Sequence, residues 1–291
     1  MNELSIIGVL VWRNLTAFVR NRSSLLFAVL PPLVLCLFYL TLMRQQVGRA
    51  MTGLVPTGQP DGGYLGCDSW LFGSAALLAG CTASAGVLLG LIDDRYHNRL
   101  STWLATVKRW QIIAGYLVSS AAAAFASTMA FIFVGQFWNW VSARPAMGLG
   151  GWLAAILGAG LSAIFFTGLN ALALALAGSL TTIRTIYIPL WIAVCFLSFS
   201  LTLPADGGLS KVLGLLPFAQ AGALVRDPLV TPFLATSDLP LYGVDYLLAT
   251  GIQIGNGTVW PGWFTALVLL FWSAALIALS TWNLNRQLAT R

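Results

Sequence analysis

In 291 residues the chain holds 58% hydrophobic and only 8% charged residues, with a mean hydropathy of +0.83 and twelve Trp. No water-soluble core hides such a composition, so a soluble domain is excluded and the chain belongs in lipid. The net charge of +6 follows membrane topology and implies no nucleic-acid partner.

The first predicted element is an interfacial helix over residues 1–22. Leu4, Ile7, Val11, Leu15 and Phe18 recur at steps of three and four, with Arg13, Thr16 and Arg20 on the other side. Such a helix lies in the headgroup plane, its arginines toward phosphates or a partner protein. Asn21-Arg22-Ser23-Ser24 then turns it into the bilayer. Charge-free runs follow at Ser24–Met43, Ser69–Ile92, Ile112–Trp138, Gly151–Gly178, Thr185–Leu203 and Trp260–Asn283. Each approaches the roughly 20 residues that cross a hydrocarbon core. The fold class predicted is an all-α integral membrane protein with six spanning helices in a single domain, 1–291.

The first run follows three arginines, as a signal peptide would. It spans a full bilayer, starts late and lacks a small-x-small cleavage site, so it reads as a retained anchor. Its Pro31-Pro32 should loosen the backbone ladder. Gly and Pro crowd the outer loop from Arg44 to Asp68. In the second span Gly73, Gly80, Gly86 and Gly90 allow close helix approach. Trp138, Trp140 and Trp152, with Trp70, Trp260 and Trp263, suit an aromatic belt at one interface. Pro204–Gly262 is too long for a connector, and its charge-free run Val212–Val225 is too short to span, so it reads as an outer re-entrant segment. Asn256-Gly257-Thr258 matches a glycosylation acceptor, a pattern too common to weigh. Cys36, Cys67, Cys81 and Cys195 show neither metal-ligand spacing nor evident pairing.

Basic residues set the orientation. With the N-terminus inside, the inner segments hold ten of the fifteen Lys and Arg against three acids, and the outer ones hold five against six. Both termini are then cytoplasmic. The six runs contain no Asp, Glu, Lys, Arg or His. Ion-coupled transport and proton pumping need such groups inside the bilayer. No nucleophile–base pair, metal cluster or phosphate loop stands out either, and the single His97 reads as a surface residue. The chain is predicted not to be an enzyme, to hold no cofactor or metal of its own, and to draw any energy for transport from a partner.

Between the second and third runs, "DDRYHNRLSTWLATVKRW" (93–110) gathers six charged residues. Leu100, Trp103, Leu104 and Val107 fall at i, i+3, i+4 and i+7, one apolar stripe on a helix over 98–108. Arg95, Arg99, Lys108 and Arg109 flank it. The stripe suits a cytoplasmic socket, with Trp103 as anchor.

Three segments in order now carry a resemblance. "WRNLTAFVRNRSSLLFAVLPPLV" resembles a connecting helix running into a proline-bearing first span. "LIDDRYHNRLSTWLATVKRWQIIAGYLVSS" resembles a coupling helix and the start of a third span. "LPADGGLSKVLGLLPFAQAGALVRDPL" resembles an outer segment with a recurring Pro and Arg, here Pro217 and Arg226. Together, over nearly the whole length, they resemble the permease subunit of a type-2 ABC exporter. Such permeases often read Gly-Thr after the charged run, where this chain has Asn98-Arg99-Leu100-Ser101.

The resemblance implies a bacterial cytoplasmic membrane and pairing with a second, identical or homologous permease. It also implies two copies of a separate ABC ATPase that binds ATP and Mg. It implies ATPase contacts at Arg95, Tyr96, Arg99, Leu100, Trp103, Leu104, Val107 and Lys108, and a substrate route past Thr82, Phe196 and Phe199. An uncharged route favours an amphiphile (a drug, lipid or peptide), and the aromatic content also suits a glycan. A membrane-embedded enzyme acting on lipids and a non-transporting accessory or immunity protein are the alternatives.

Overall fold

The structure is a computed structural model, and it describes residues 3–46, 62–97, 99–142, 146–177, 182, 185–187, 189–190, 194, 216–236, 253–254, 258–259 and 262–289. Helices account for nearly all of them: α1 (Glu3–Arg20), α2 (Arg22–Phe38), α3 (Gly62–Tyr96), α4 (Arg99–Leu104), α5 (Arg109–Val141), α6 (Leu149–Leu176), α7 (Pro217–Thr236) and α8 (Gly262–Ala289). A π turn, Tyr39–Met43, prolongs α2. A small antiparallel pair joins β1 (Gln253–Ile254) to β2 (Thr258–Val259).

Five of these helices are long and apolar enough to cross a membrane, namely α2, α3, α5, α6 and α8. This is the all-α multi-pass architecture that the composition demands. Of the fifth predicted run, Thr185–Leu203, only a few residues are described. Tyr187 is buried and donates its hydroxyl to the Asn170 carbonyl of α6 at 3.1 Å, and Val194 is buried in the core. Five of the six expected spans are thus present as long apolar helices among the described residues, and most of the remaining run, Thr185–Leu203, lies outside them. The helices overrun the charge-free runs, since α3 continues through Asp93, Asp94 and Arg95, and α5 begins at Arg109. Backbone groups must stay paired until they reach water, so a helix does not stop where its charges begin.

The centre of the bundle is α3, with 89% of its apolar window buried inside the chain against 22% for α2 and 17% for α8. Around it the core forms two main clusters. One packs Leu71, Phe72 and Leu78 of α3 on Ile132, Phe166 and Val225. The other, nearer α1, packs Leu88 and Leu91 on Ile112, Tyr116, Leu174 and Leu284. Small hydroxyls stitch the helices between them. The Ser84 and Ser120 hydroxyls lie 2.8 Å apart, Ser120 lies 3.2 Å from the Thr167 hydroxyl, and Asn170 donates to the Cys81 carbonyl at 2.9 Å. Inside lipid such bonds replace the hydrophobic drive for helix association.

The proline pair does not break α2, which runs through Pro31 and Pro32. Pro32 has no N–H to offer the Ala28 carbonyl four residues back. Thr82 of α3 supplies the missing donor, its hydroxyl lying 2.7 Å from that carbonyl oxygen. Thr82, expected on a substrate route, is thus wholly buried against α2. Phe196 and Phe199 lie outside the described residues.

At the end of the bundle away from α1, Arg44 follows the π turn, its own N–H donating to Tyr39 O five residues back. Its guanidinium grips the buried Asp68 carboxylate at 3.0 and 3.1 Å, and the Trp138 indole N–H reaches the same carboxylate at 3.3 Å. Nearby, α7 packs against α3, α6 and α8. The expected re-entrant segment Val212–Val225 starts outside the described residues, and the helix runs past its predicted end to Thr236. It therefore carries Arg226, which is 1% exposed, donates through Nε to Gly222 O at 3.0 Å and lies 5.2 Å from the Trp70 ring centre.

The expected apolar face of α1 turns mostly to the bundle, with Phe18 buried, Ile7, Val11 and Leu15 half-buried and Leu4 exposed. Leu10 and Asn14 are buried beside it, while Val9, Trp12 and Val19 are exposed. Leu10 sits directly over Gly115 of α5, where an added Cβ would lie 2.8 Å from the Leu10 Cβ, so only glycine permits this approach. The outward face of α1, with Trp12 and Val9, is largely apolar.

Candidate functional site: the Asp94 junction

The charged stretch 93–110 is divided among three elements. Its first residues are the last turn of α3. The middle is α4, only six residues long, which ends in a turn where Val107 N–H donates to Trp103 O at 2.8 Å. The last are the start of α5, where Gln111 Oε1 accepts from the Lys108 N–H at 3.1 Å. The expected helix over 98–108 is therefore shortened to Arg99–Leu104. A helix of this length is not self-sustaining, so it must be held from outside.

The Asp94 carboxylate holds it. Asp94 is 3% exposed, and three side chains from three other elements converge on it. Arg13 of α1 places Nη2 at 2.6 Å from Oδ2, the Tyr116 hydroxyl of α5 donates to the same oxygen at 2.5 Å, and Arg99 of α4 approaches Oδ1 at 3.5 Å. A carboxylate this buried demands paired charge and full hydrogen bonding, and it receives both. Burial alone lowers the Arg13 pKa, but the hydrogen bond and charge of Asp94 outweigh it, so Arg13 is raised above its ordinary value and stays cationic. The guanidinium also lies 4.5 Å from the Trp103 ring centre, adding a cation–π contact to α4. Here Arg13 corrects the expectation that the arginines of α1 face phosphates or a partner, because it is spent on Asp94 and Trp103.

Two further ties frame the junction. Asn14 donates to the Ser119 hydroxyl at 3.3 Å, and Lys108 meets Glu3 at 2.6 Å on the exposed rim. On the far side of α3, Arg95 donates to Gln287 Oε1 at 3.1 Å, and Gln287 donates to the Ala175 carbonyl at 2.5 Å. Through these bonds α3, α6 and α8 are joined at the same end of the bundle as α1.

The stripe expected to face a partner mostly faces the chain itself. Leu100 is buried, and Trp103, Leu104 and Val107 are half-buried against Ile112 and its neighbours. What α4 and its flanks turn outward is Tyr96, which is 80% exposed, with Arg99, Thr102 and Lys108. Sequence reasoning identified the stripe and the flanking cations but missed Asp94, Arg13 and Tyr116. The one available signal was a carboxylate pair, Asp93 and Asp94, on the side of the chain otherwise dominated by cations. Among the described residues no group of three or more His, Cys, Asp or Glu is placed to hold a metal ion.

The junction joins α1, α3, α4 and α5 through one carboxylate. Neither the models of known protein families nor the curated proteins yield a match to this chain.

Proposed function

We propose that the chain is the transmembrane subunit of an ATP-driven exporter, with α4 as the element on which a separate ABC ATPase pushes. The observation that carries this reading is the Asp94 junction. A six-residue helix would melt if pushed alone, but one fastened through Arg99 and Trp103 to Asp94 and Arg13, with Tyr116 tying α5 to the same carboxylate, moves α1, α3 and α5 as a body. The ATPase binds ATP and Mg, and the chain supplies the route and the lever. Tyr96, Arg99 and Lys108 with the exposed edges of Trp103, Leu104 and Val107 meet the ATPase, while Arg95 and Leu100 support them from within.

The count of basic residues supports placing the α1 end in the cytoplasm of a bacterial inner membrane. A second permease copy or homologue completes the route, and the substrate is an amphiphile such as a drug, lipid, peptide or glycan. The test is co-expression with the ATPase encoded beside this chain, followed by capture through a tag on the chain. Wild type should retain the ATPase. Tyr96→Ala combined with Lys108→Glu should lose most of it, while Asn285→Ala, exposed on α8, should not. No retention by wild type, or nucleotide hydrolysis by the purified chain alone, overturns the proposal.

A further inference from the structure

The corner where α1 turns into α2 does not close fully on α3. Between them lies a cavity of about 360 Å³, inside the range of roughly 300–1,000 Å³ typical of small-molecule sites. Its two halves differ in kind. Toward the α1 end, Arg13, Arg99, Asp93 and Asp94 line it, with Asn21 and Ser24 at the corner. Deeper, the lining is Phe18, Phe27, Val87 and Leu89, over the bare backbone of Gly86 and Gly90.

Two features define an occupant. First, the charges at the polar end are not equally engaged. Asp94 is taken up by Arg13, Tyr116 and Arg99. Asp93, with its side chain 57% exposed, meets His97 of its own turn at 3.4 Å, and Arg99, 56% exposed, reaches Asp94 only at 3.5 Å. Asp93 and Arg99, the one anion and one cation of the lining that are more than half exposed, both border the cavity. Second, the apolar half reaches Phe27 of α2, which is exposed together with Leu26 and Leu30 of the same helix. A ligand here has a dipolar head at the interface and an apolar tail that leaves sideways into lipid.

We infer that this cavity is a binding site for one zwitterionic phospholipid, of the phosphoethanolamine type. The phosphate lies against Arg99, the ammonium against Asp93, and an acyl chain passes Phe18 and Phe27 to the surface of α2. Arg is suited to phosphate by its planar fork of donors. The neutral sum of the lining disfavours a head that carries only negative charge. This site does not rest on the chain being a transporter.

The test is native mass spectrometry of the purified full chain, delipidated in mild detergent and then supplied with diacyl phosphatidylethanolamine, diacyl phosphatidylglycerol or soluble glycerophosphoethanolamine. The expected result is one retained phosphatidylethanolamine per chain, preferred over phosphatidylglycerol, and weak binding of the soluble head. Arg99→Ala and Asp93→Ala should each weaken retention about tenfold, the loss of one charge-assisted contact. Gly90→Leu provides a variant that leaves the charges alone. A Cβ there meets nothing nearer than Tyr116 at 3.8 Å, so the side chain fits into the cavity and should exclude the lipid. Equal retention of the two diacyl lipids by wild type overturns the inference whatever the variants do. So does undiminished retention in Arg99→Ala and Gly90→Leu. A soluble head bound as tightly as the diacyl lipid overturns the membrane as its source.

Discussion

The clasp between Thr82 and Ala28 yields the sharpest prediction. Thr82→Val keeps the shape of the side chain and removes only the hydroxyl. In the wild-type chain the Ala28 carbonyl has lost its helical donor to Pro32, so the variant leaves that oxygen without the Thr82 bond in a buried contact. A buried acceptor stripped of its partner costs about 1–3 kcal/mol. Interhelical hydrogen bonds in bilayers are worth about 0.6 kcal/mol on average and about 1.7 at most. The short distance and complete burial place Thr82→Val in the upper part of that range, at about 1–1.7 kcal/mol. Pro32→Ala changes the arithmetic, because residue 32 then has an N–H for Ala28. In that background Thr82→Val should cost less than about 0.5 kcal/mol, leaving a coupling of about 1 kcal/mol. Reversible unfolding of the four chains in mixed micelles, followed by circular dichroism, measures the cycle. Equal losses from Thr82→Val in both backgrounds would refute the argument that Thr82 serves the proline.

Other outcomes follow from the same geometry. Arg13→Gln should destabilise the chain by about 2–3 kcal/mol, since Asp94 stays buried with only Tyr116 and the longer Arg99 contact. Asp94→Asn in the same chain should recover part of that loss, as a double-mutant cycle in the unfolding assay would show. Glu3→Gln, which breaks only an exposed pair with Lys108, should change stability by less than about 0.5 kcal/mol in the same assay. Gly158→Leu should separate α7 from α6, because an added Cβ would sit 2.5 Å from the Leu224 carbonyl oxygen. Faster proteolysis around residues 217–236, with the other helices still protected, is the expected reading.

The spans were legible because lipid imposes one rule, a long uncharged stretch with every backbone group paired, and that rule is written in composition. The face of α1 was not. Periodicity separates apolar from polar sides, but Trp12 and Leu10 carry the same apolar signal and face opposite ways, one outward and one into the bundle. The apolar stripe of α4 is legible as a stripe, but its spacing does not say whether it faces a partner or the chain itself. In fact Leu100 is buried within the chain, because a six-residue helix needs its own core contacts to exist at all. Arg13 and Asp94 stand 81 residues apart, with no spacing to link them. Arg226 shows the opposite limit. A cation in the outer segment looked like a boundary in sequence, yet packing on Trp70 and Gly222 lets a helix continue through it.

The π turn at Tyr39–Met43 has a consequence for how the chain tolerates length changes. A π turn holds one residue more per hydrogen-bonded ring than an α turn. It absorbs that residue locally and lets Arg44 arrive facing Asp68. Deleting one residue from this turn lets it close as ordinary α-helix with Arg44 still on the same side. Deleting one from Leu33–Leu37 instead rotates everything beyond by about 100° and swings Arg44 away from its carboxylate. A single-residue deletion is therefore survivable in one turn of α2 and not in the turn before it, and a scan of such deletions, read by retention of folded protein, should show a sharp step between the two.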